Sequence, residues 1–573
     1  MLLEEAARYA DTQSTIAPQG YQEKPIRYII DLDLTGTKGH ITDIRPGPKD
    51  RGLMIQVPHA KRSSGIRPIL FADYATYTLG IPREKDDPSR GLQLLESYRD
   101  LVNALAQRFP TPEITAVSTF LNRLPEGMPE RPDDFDPSAN ITFEVNGVRL
   151  VDLPEVRSFW ADELGLGEGE GANSPTLQCI VCGQMKPAVR VHPLKIKGIL
   201  AGQSGGTDLI SANSDAYFSY GLENSLIAPT CASCAEKYAN GLNALLANGK
   251  THTRVSGVEY ICWVASGIDT VVIDCFDQPD SEEAVRVINT VYSGDPNALC
   301  DFEKESFFAT SLSGNGARTV VLSWLTSTLA DAYRSLAEYF RAHAIVAPDG
   351  SEPIRYSVRR LANAMVRDPQ KQQPPRGDVA ALMRYALAGT PLPLDLLNQA
   401  VLRCRAEQGV RRDRAALIKM VLSSREESFN EGGRMERLDS DEKSPAYLCG
   451  RLLAVLDSIQ RQALGNPNTT IIDRFYGSAS ATPASVFGTL MRGAQPHLAK
   501  LRKDRPGAYR ALSERLEMIA IDLKTFPPTL TLKEQGLFAL GFYHQRAEDR
   551  RQARERAEKN AVTPEEAEIE APA

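Results

Sequence analysis

Residues 179–206 read CIVCGQMKPAVRVHPLKIKGILAGQSGG and begin with a C-x2-C pair, and a second pair, CASC, follows at Cys231 and Cys234. Each pair can place two thiolates on one metal ion, and four thiolates complete the closed tetrahedral coordination of structural zinc. The stretch between the pairs is longer than in a compact zinc ribbon. We therefore expect a structural zinc ion, held by Cys179, Cys182, Cys231 and Cys234, at the base of an insert over about residues 175–240. The alternative is four unrelated buried cysteines.

The composition is that of an ordinary globular protein. The chain has 573 residues, a net charge of -7 and nine cysteines. No apolar run approaches the roughly 18 residues that a membrane helix needs, and the acidic start MLLEEAARYAD does not resemble a secretory signal. We expect a cytoplasmic protein without a membrane partner, in which paired cysteines favour metal over disulfides. The remaining cysteines are expected to be small buried hydrophobic residues: Cys262, Cys275, Cys300, Cys404 and Cys449.

The patterning predicts an α+β fold. A β-rich N-terminal α+β domain, residues 1–352, includes hairpins that turn at 35–39 and at Asn146–Gly147, with PILFADYATYTLGI and GVEYICWVASGIDTVVIDCF as further strands. Strand signals largely stop beyond residue 353. We predict a helical connector over 353–442 with a flexible linker at about 366–378, an all-α bundle over 443–546, and a disordered charged tail over 547–573.

The C-terminal third is basic despite the acidic total. Residues 353–420 carry 13 Lys/Arg against 5 Asp/Glu, and residues 443–547 carry 14 against 7. Local fields attract a polyanion more than the average charge of the chain repels it. The alternative is a set of solvated helix faces.

An enzymatic interpretation begins with His192. Nucleases of the HNH type have a C-x2-C pair, a His near a Pro, an Asn and a second C-x2-C pair, and this chain offers His192 and Asn213 between its pairs. Where these nucleases have an Asp-His or His-His dyad, this chain has Val191-His192. The metal-binding His expected after the second pair is absent; Lys237 is the nearest residue to that place, and His252 lies farther on. A lysine cannot replace a ligand of a catalytic metal. A zinc-containing HNH-like metal-dependent endonuclease is the alternative to a non-catalytic protein.

The glycine-rich segment after His192 has groups suited to DNA. Its glycines allow close approach of the backbone, whose N–H groups can bind an anion. Lys195 and Lys197 alternate around Ile196, so on a strand they would face the same way. Nearby Tyr217, Phe218 and Tyr220 could stack on bases or pack in a core, and packing is the more common role. The polar candidates for contact with bases or phosphates are Gln203, Ser204, Thr207 and Asn213.

Several long passages resemble one family. They are GYQEKPIRYIIDLDLTG, YTLGI, HPLKIKGILAGQSGGTDLISANSDAYFSYGLENSLIAP, AYLCGRLLAVLDSIQ, TTIIDRFYGSASATPASVFGTLMR and FPPTLTLKEQGLFALGFYHQR. In this order they resemble the large subunit of the type I-C CRISPR Cascade surveillance complex. The resemblance covers nearly the whole chain. It departs from the family at Asp73-Tyr74, where many relatives carry Asp-Asn, and at the full cysteine set, which many members lack.

The resemblance implies an RNA-guided antiviral function without catalysis. The subunit would recognise the protospacer-adjacent motif in double-stranded DNA, aid strand opening, stabilise the R-loop and support recruitment of a helicase–nuclease. Its other partners would be the guide RNA with the backbone and RNA-processing subunits. The implied DNA contacts in the glycine-rich block are Lys195, Lys197, Gly198, Gly202, Gln203, Ser204, Gly206, Ser211 and Asn213. The basic loop of residues 61–67 adds Lys61, Arg62 and Arg67.

The C-terminal helices resemble the small-subunit bundle that lines the displaced strand. The family often also makes this bundle from an internal start, and Glu431-Gly432-Gly433-Arg434 precedes Met435 in a way that suits a purine-rich ribosome-binding sequence. We therefore predict a small subunit that starts at Met435, with Met420 as the alternative. The candidate phosphate contacts are Arg451, Arg461, Arg474, Arg492, Lys500, Arg502, Lys503 and Arg505.

Overall fold

A computed structural model of the chain describes residues 1–13, 18, 20–60, 65–83, 88–124, 126–164, 174–293, 300–425, 435–465 and 467–562. The chain divides into two compact units. Unit 1 comprises Met1–Ala247 and Ser313–Val321, and unit 2 comprises Asn248–Leu312 and Leu322–Ala573. The domain boundaries predicted at residues 352 and 442 stay predictions.

Unit 1 mixes short strands with helices. The strands are β1 Tyr21–Ile26, β2 Tyr28–Leu32, β3 Gly39–Asp43, β4 Leu53–Pro58, β5 Asp73–Tyr74, β6 Asn140–Val145, β7 Val148–Arg149, β8 Thr176–Gln178 and β9 Met185–Pro187. The helices are α1 Leu2–Thr12, α2 Ala75–Thr78, α3 Pro88–Arg108, α4 Pro112–Asn122, α5 Pro154–Glu163 and α6 Ala232–Ala247. Single 3₁₀ turns occur at Leu150–Asp152, Asp215–Tyr217 and Asn224–Ile227.

The main sheet of unit 1 has the strand order β3-β2-β6-β5, with β7 paired to β6. β2 pairs antiparallel with β3 and parallel with β6, so Ile30 lies between Ile41 and Phe143. All three side chains are buried, and helices α3, α4 and α5 contribute apolar residues to the same core. β1 and β4 form a separate antiparallel pair, and β8 and β9 form a short hairpin.

Two predicted hairpins of unit 1 are present because their turns carry suitable residues. Gly36 has φ +65°, and a Cβ there would lie 2.1 Å from the carbonyl oxygen of Ala116, so only glycine fits between β2 and β3. Asn146 and Gly147 both have positive φ between β6 and β7. Asn-Gly is the favoured pair for such a two-residue turn.

The segment PILFADYATYTLGI does not form the predicted strand. Only Asp73–Tyr74 is extended, and α2 follows at once. The buried carboxylate of Asp73 accepts hydrogen bonds of 2.8 Å from the backbone N–H groups of Ile69 and Tyr74. Because these donors are bound to a side chain, they are not available to a strand ladder.

Unit 2 begins with a four-stranded antiparallel sheet in the order β10-β11-β12-β13 and continues as helices. The strands are β10 His252–Val255, β11 Val258–Val264, β12 Ser306–Asn315 and β13 Arg318–Thr328, of which the β12–β13 tip belongs to unit 1. The helices are α7 Val272–Asp277, α8 Glu282–Tyr292, α9 Cys300–Glu303, α10 Leu329–His343, α11 Val358–Asn363, α12 Arg376–Ala388, α13 Leu394–Ala406, α14 Arg412–Ser423, α15 Pro445–Leu464, α16 Ile471–Ala479, α17 Pro483–Asp504, α18 Pro506–Asp522 and α19 Leu532–Val562.

The C-terminal helices pack closely around α15 and α19. A Cβ on Gly450 would lie 2.0 Å from the carbonyl oxygen of Phe538, and one on Gly541 would lie 2.2 Å from that of Tyr447. Both glycines therefore allow the two helix backbones to approach. The apolar residues of the bundle share one core with α10, α12, α13 and α14, so the bundle and the connector helices bury each other's surface.

Two predictions of secondary structure in unit 2 need correction. The segment VVIDCF is helix α7 and not a strand, since Val272, Ile273, Cys275 and Phe276 are buried at helical spacing. Helix α19 continues to Val562, past the predicted start of the tail at 547, and ion pairs such as Arg551 with Glu555 join successive turns there. Residues 563–573 lie outside the described part.

The predicted mixed α+β class with C-terminal helices is confirmed. None of the helices in the described ranges is long and apolar enough to cross a membrane.

Candidate nucleic-acid interface

The first cysteine pair lies in the β8–β9 hairpin of unit 1. Cys179 follows β8, and its carbonyl oxygen accepts a hydrogen bond of 2.8 Å from the backbone of Gly183. Gly183 has φ +71°, which reverses the chain towards β9. The backbone N–H of Cys179 in turn donates to the carbonyl oxygen of Gln184 at 2.9 Å. This tight knuckle fixes both thiols of the pair on one side of the hairpin.

The second pair lies at the start of α6. Cys231 immediately precedes the helix and Cys234 is in its first turn, where Ala235 N–H bonds the carbonyl oxygen of Cys231 at 3.0 Å. The backbone N–H of Cys231 also donates to Cys179 Sγ at 3.4 Å. All four Sγ atoms lie within 4.8 Å of one another. Bonds of about 2.3 Å to a tetrahedral zinc would separate the sulfurs by roughly 3.8 Å, so the four cysteines could hold a metal ion.

The electrostatics of the cluster also suit a cation. The hydrogen bond from Cys234 lowers the pKa of the Cys231 thiol to about 5, whereas the same interaction raises the pKa of Cys234. Burial raises the pKa of Cys182. Close thiolates repel each other, so only the charge of a bound metal would stabilise all of them in the ionised form.

Helix α6 connects the cysteine cluster to the predicted lysines. Asn243, three turns along the helix from the cysteines, accepts a hydrogen bond of 2.8 Å from the backbone N–H of Lys197. Its Nδ2 donates to the carbonyl oxygen of Lys195 at 3.0 Å. Ile196 between them is buried and pairs with Thr207 in an isolated bridge. The segment is therefore not a regular strand, but its backbone is fixed on both sides of Ile196.

The two lysines line a cleft of about 480 Å³ in unit 1. Lys195 is half-buried and lies 3.9 Å from Asp208, whereas Lys197 is exposed and, within the described residues, makes no ion pair. Strand β1 contributes Gln22 and Lys24 to the lining, and Tyr74 contributes an aromatic ring. The cleft thus combines cations, amides and a ring, which are the groups that bind phosphates and bases. Its other lining residues are His59, Ala60, Ile69, His192, Pro193, Leu194, Gly205, Asn240 and Asn243.

One of the N-terminal candidates, Arg67, lies near this cleft. A second cavity of about 410 Å³ shares His59 and His192 with the cleft and has the exposed Arg67 in its lining. The guanidinium of Arg83 lies over the ring of Tyr74 at 4.7 Å from its centroid, so this chain has a stacked cation and ring at the position where many relatives carry Asn. Lys61 and Arg62 lie outside the described residues.

The glycines of the loop have different roles. A Cβ on Gly206 would lie 2.8 Å from Lys195 Cβ, and one on Gly202 would lie 2.5 Å from Thr207 Cγ2, so both are required for packing of the loop on itself. Gly198 and Gly205 have no such neighbour. Gln203 and Ser204 are exposed at the tip, where the Gln203 N–H donates to the Gly316 carbonyl oxygen at 3.1 Å. The loop therefore presents its polar side chains while a hairpin supports its backbone.

That supporting hairpin is the tip of β12 and β13. Asp208 bonds the backbone there in both directions, to Ala317 and from Thr319. Arg318 on the same tip donates from Nη2 to Asn213 Oδ1 at 2.7 Å. Asn213 is exposed, and its Oδ1 is engaged by Arg318. Ser211 is half-buried and lies between these two contacts along the chain.

His192 is a buried residue of the cleft floor. It is 4% exposed, its Nδ1 is hydrogen-bonded to Tyr238, and burial lowers its pKa to about 4. Lys237, which stands near the place of the missing HNH ligand, pairs with Asp11 at 2.7 Å. Among the described residues, the four cysteines are the only cluster of His, Cys, Asp and Glu suited to hold a metal.

Four of the C-terminal candidates lie on the outer face of α17 in unit 2. Leu490, Ala494, Leu498 and Leu501 are buried along one side of this helix. The exposed basic residues on its other sides are Arg492, Lys500, Arg502 and Lys503, and Arg505 follows at the helix end. In the described part of the chain none of these five forms an ion pair, and Arg474 on α16 is likewise exposed.

Comparison with known proteins gives one result. A family model described as "CRISPR-associated protein (Cas_Csd1)" matches residues 2–549. The chain belongs to this family. None of the curated proteins matches the chain.

Two of the candidate arginines of this CRISPR-associated protein are engaged within the bundle. Arg451 is half-buried, its Nε donates to Gln545 Oε1 at 3.1 Å, and burial lowers its pKa. Arg461 pairs with the buried Asp457 at 2.8 Å. Both differ from the α17 residues, whose guanidinium and ammonium groups face solvent.

Sequence reasoning missed several residues that line or support the cleft of this CRISPR-associated protein. Lys24 and Gln22 were overlooked because they lie in a strand far from the glycine loop in sequence. Asn243 looked like an ordinary surface residue of a helix, and Arg318 like part of a strand. A signal for Asn243 was its alignment with Asn240 three residues earlier, which puts two amides on one helix face.

Proposed function

We propose that this CRISPR-associated protein is the large subunit of a type I-C Cascade complex and recognises the protospacer-adjacent motif in the target duplex. The cleft of unit 1 is the observation that carries the proposal. It combines Lys195, Lys197 and Lys24 with amide side chains, next to a loop whose tip presents Gln203 and Ser204. Cations fix a protein on the phosphate backbone, and amides discriminate between base edges.

Within the complex the guide RNA determines which target is bound. The protein contacts only the short motif that flanks the target, and this contact starts strand opening. The exposed side chain of Gln203 and the Nδ2 group of Asn213 are the groups proposed to contact bases. Lys195 and Lys197 are proposed to contact phosphates, since Asn243 orients their backbone.

The outer face of α17 is proposed to bind the displaced strand. Unpaired lysines and arginines spaced along a helix follow a phosphate backbone without selecting a sequence. The proposed partners are the guide RNA, the backbone and RNA-processing subunits, and the target duplex. A helicase–nuclease recruited to the complex cuts the DNA, and this chain itself is non-catalytic. The buried, Tyr238-bonded state of His192 supports a structural role for that residue.

We further propose that the four cysteines bind one structural zinc ion. Four thiolates leave no open coordination position for a substrate or water. The ion would join the β8–β9 hairpin to the start of α6. Because α6 carries Asn243, the same ion would stabilise the position of the lysine segment.

The small subunit starting at Met435 remains part of the proposal. Met435 is buried and precedes α15, so a product that starts there keeps α15 to α19 whole. A start at Met420 falls inside α14 and would divide that helix. Residues 431–434 lie outside the described part. Intact-protein mass spectrometry of the purified complex tests the start, and the absence of a product of the expected mass contradicts it.

A binding experiment tests the main proposal. The assembled complex is titrated with duplexes that carry or lack the correct flanking motif, and we expect tight binding only with the motif. Replacing both Lys195 and Lys197 with alanine should weaken binding to all sequences and lower the salt dependence, whereas Gln203→Ala should relax motif choice. Equal binding with and without the motif contradicts the proposal. Cleavage of DNA by the purified chain with added Mg²⁺ or Mn²⁺ would instead favour the HNH-like endonuclease.

A further inference from the structure

A tight turn after the glycine loop holds a tyrosine in an unusual state. Tyr220 and Gly221 have φ +53° and +72°, and the N–H of Leu222 donates to the carbonyl oxygen of Ser219 at 2.9 Å. We call the four residues 219–222 the tyrosine turn. Two successive left-handed residues match a two-residue turn that prefers Asn-Gly, so a bulky aromatic at its first position is unfavourable for the backbone.

The ring of Tyr220 does not pack in the core of the fold. The Tyr220 side chain is 99% exposed, more than any other large apolar or aromatic residue in the described part of the chain. Phe71 is the informative comparison, since it has φ +50° but is completely buried. Packing of its ring explains why Phe71 tolerates that backbone conformation. No packing does so for Tyr220, and strained exposed residues concentrate at binding sites.

A second aromatic ring in this segment is contacted by a guanidinium from the β12–β13 tip. Tyr217, three residues earlier, is 49% exposed. Arg318 lies over its ring at 4.7 Å from the centroid and donates to its hydroxyl at 3.0 Å. The other Nη of Arg318 binds Asn213 Oδ1. Arg318 thus joins the Tyr217 ring to a proposed base-contacting residue and fixes the ring's orientation.

We propose that Tyr220 and Tyr217 stack on unpaired bases of the target DNA where its strands separate beside the motif. Exposed rings stack on any base, because every base has a flat π face, and a rigid turn loses little freedom on binding. Arg318 acts as a positioning residue for Tyr217. The inference rests on the proposed function, since it assumes that the complex opens DNA next to the glycine loop.

Abasic nucleotides combined with two variants test the stacking. In Tyr220→Asn the ring is lost while the turn gains its preferred Asn-Gly pair, so weaker binding cannot come from a damaged turn. In Tyr220→Phe the ring remains. The assembled complex is titrated with motif-containing targets in which a single base is removed in turn from each strand near the motif. For the unaltered complex we expect about a tenfold loss of affinity at one or two positions.

The pattern across variants decides the outcome. The Tyr220→Asn complex should bind intact DNA about tenfold more weakly and lose nothing further at one of those abasic positions, that of the base stacked on Tyr220, while Tyr220→Phe should behave like the unaltered complex. Ile521→Ala, which removes another highly exposed apolar side chain, should have no effect. Unchanged affinity of Tyr220→Asn, or a full additional loss at every abasic position, overturns the stacking. If the unaltered complex binds equally with and without the motif, the proposed function fails instead.

Discussion

The basic residues of the unit 1 cleft and those of the α17 face in unit 2 are held in different ways. In the cleft, Asn243 accepts a hydrogen bond from Lys197 N–H and donates one to the carbonyl oxygen of Lys195, which fixes the backbone on both sides of Ile196, and Lys195 lies near Asp208. On α17 the cations extend from a regular helix into solvent and, among the described residues, make no ion pair. The backbone that carries the cations is therefore held by side-chain hydrogen bonds in unit 1, whereas on α17 it is a regular helix.

This difference suggests different uses of similar residues. Discrimination between sequences needs groups that cannot follow a misplaced base, because a flexible side chain simply adapts to it. Affinity for a phosphate backbone needs only charge at roughly the right spacing. We therefore propose that the cleft recognises the motif and that α17 attaches to DNA independently of its sequence. The following changes separate the two.

Loss of the metal-binding cluster should have the largest effect on stability, and this effect should be confined to the cleft of unit 1. In Cys231→Ser a closed four-thiolate site loses one ligand, so we expect bound zinc to fall from about one ion per chain to nearly none. A loss of about 4 kcal/mol would lower the unfolding midpoint of unit 1 by roughly 10 °C. Elemental analysis and hydrogen exchange of peptides from α6 and from α17 measure these changes separately.

The matched control for this change is another buried cysteine. Cys449→Ala removes a lone thiol in α15 of unit 2 and should leave the zinc content unaltered. Exchange in α17 should stay near that of the unaltered chain in Cys231→Ser. Full retention of zinc by Cys231→Ser, or an equal loss of hydrogen-exchange protection in both units, would show that the cysteines do not stabilise the cleft.

Acid should weaken the floor of the cleft through His192. Burial lowers its folded pKa to about 4, whereas an exposed histidine in the unfolded chain has a pKa of about 6.5. The unfolded state therefore binds the proton first, and stability present above pH 6.5 is lost as the pH falls towards 4. The loss is about 2 kcal/mol at pH 5.

Hydrogen exchange at pH 7 and pH 5, corrected for intrinsic rates, tests this prediction. The buried Glu236 of α6 opposes this loss over the same pH range, because burial raises its pKa to about 7 and the folded state then binds its proton more tightly than the unfolded state. Between pH 7 and pH 5, His192→Gln should therefore retain more protection in α6 than the unaltered chain. Unit 2 provides the internal control, because burial lowers the pKa values of His343 and His544 to about 3 and both remain in the variant. An undiminished acid response of α6 in His192→Gln would mean that another group of unit 1 titrates there.

Removal of Asn243 should distinguish the effect of the backbone position of the lysine segment from the effect of the lysine charges. Asn243→Ala deletes both bonds to the lysine segment but no cation, so we expect about tenfold weaker binding to motif-containing duplex with an unchanged salt slope. Replacing Lys195 and Lys197 together should instead reduce the magnitude of the slope of log K against log salt by about 2, since each phosphate contact contributes about 0.9. Titrations at several salt concentrations compare the two variants. A reduced slope in Asn243→Ala would indicate that the lysines lose their contacts altogether.

The local features of the fold could be predicted from the sequence. The β2–β3 hairpin, the Asn146–Gly147 turn and helix α15 each depend on neighbouring residues and were predicted correctly. The C-x2-C spacing indicated each cysteine pair for the same reason, and the shared thiolate chemistry of the two pairs indicated that they meet. Helix α7 was not recognised because VVIDCF has strand-like composition, and only tertiary packing decides between the two conformations.

The arrangement of the candidate site depends on contacts that local patterns do not carry. Asn243 contacts a backbone 46 residues away, and Arg318 contacts Asn213 over 105 residues. Neither pair has a characteristic spacing, so a single sequence gives no reason to connect them. The exposure of Tyr220 was equally hidden, since a tyrosine beside Phe218 is usually part of a core.

Changes to the basic residues of α17 should have the smallest effect on DNA binding, and this effect should depend least on the presence of the motif. In Arg502→Ala/Lys503→Ala two exposed cations are removed from the end of the helix, away from its buried side. We expect binding to weaken several-fold for opened targets with and without the motif, and the salt slope to fall by about 1.4, because single strands release about 0.7 counterion per contact. Arg461→Ala, which removes an arginine already paired with Asp457, is the matched control and should change the slope little. Loss of motif discrimination in the α17 variant would show that this face contributes to recognition, and the proposed division between recognition by the cleft and sequence-independent attachment by α17 would then be wrong.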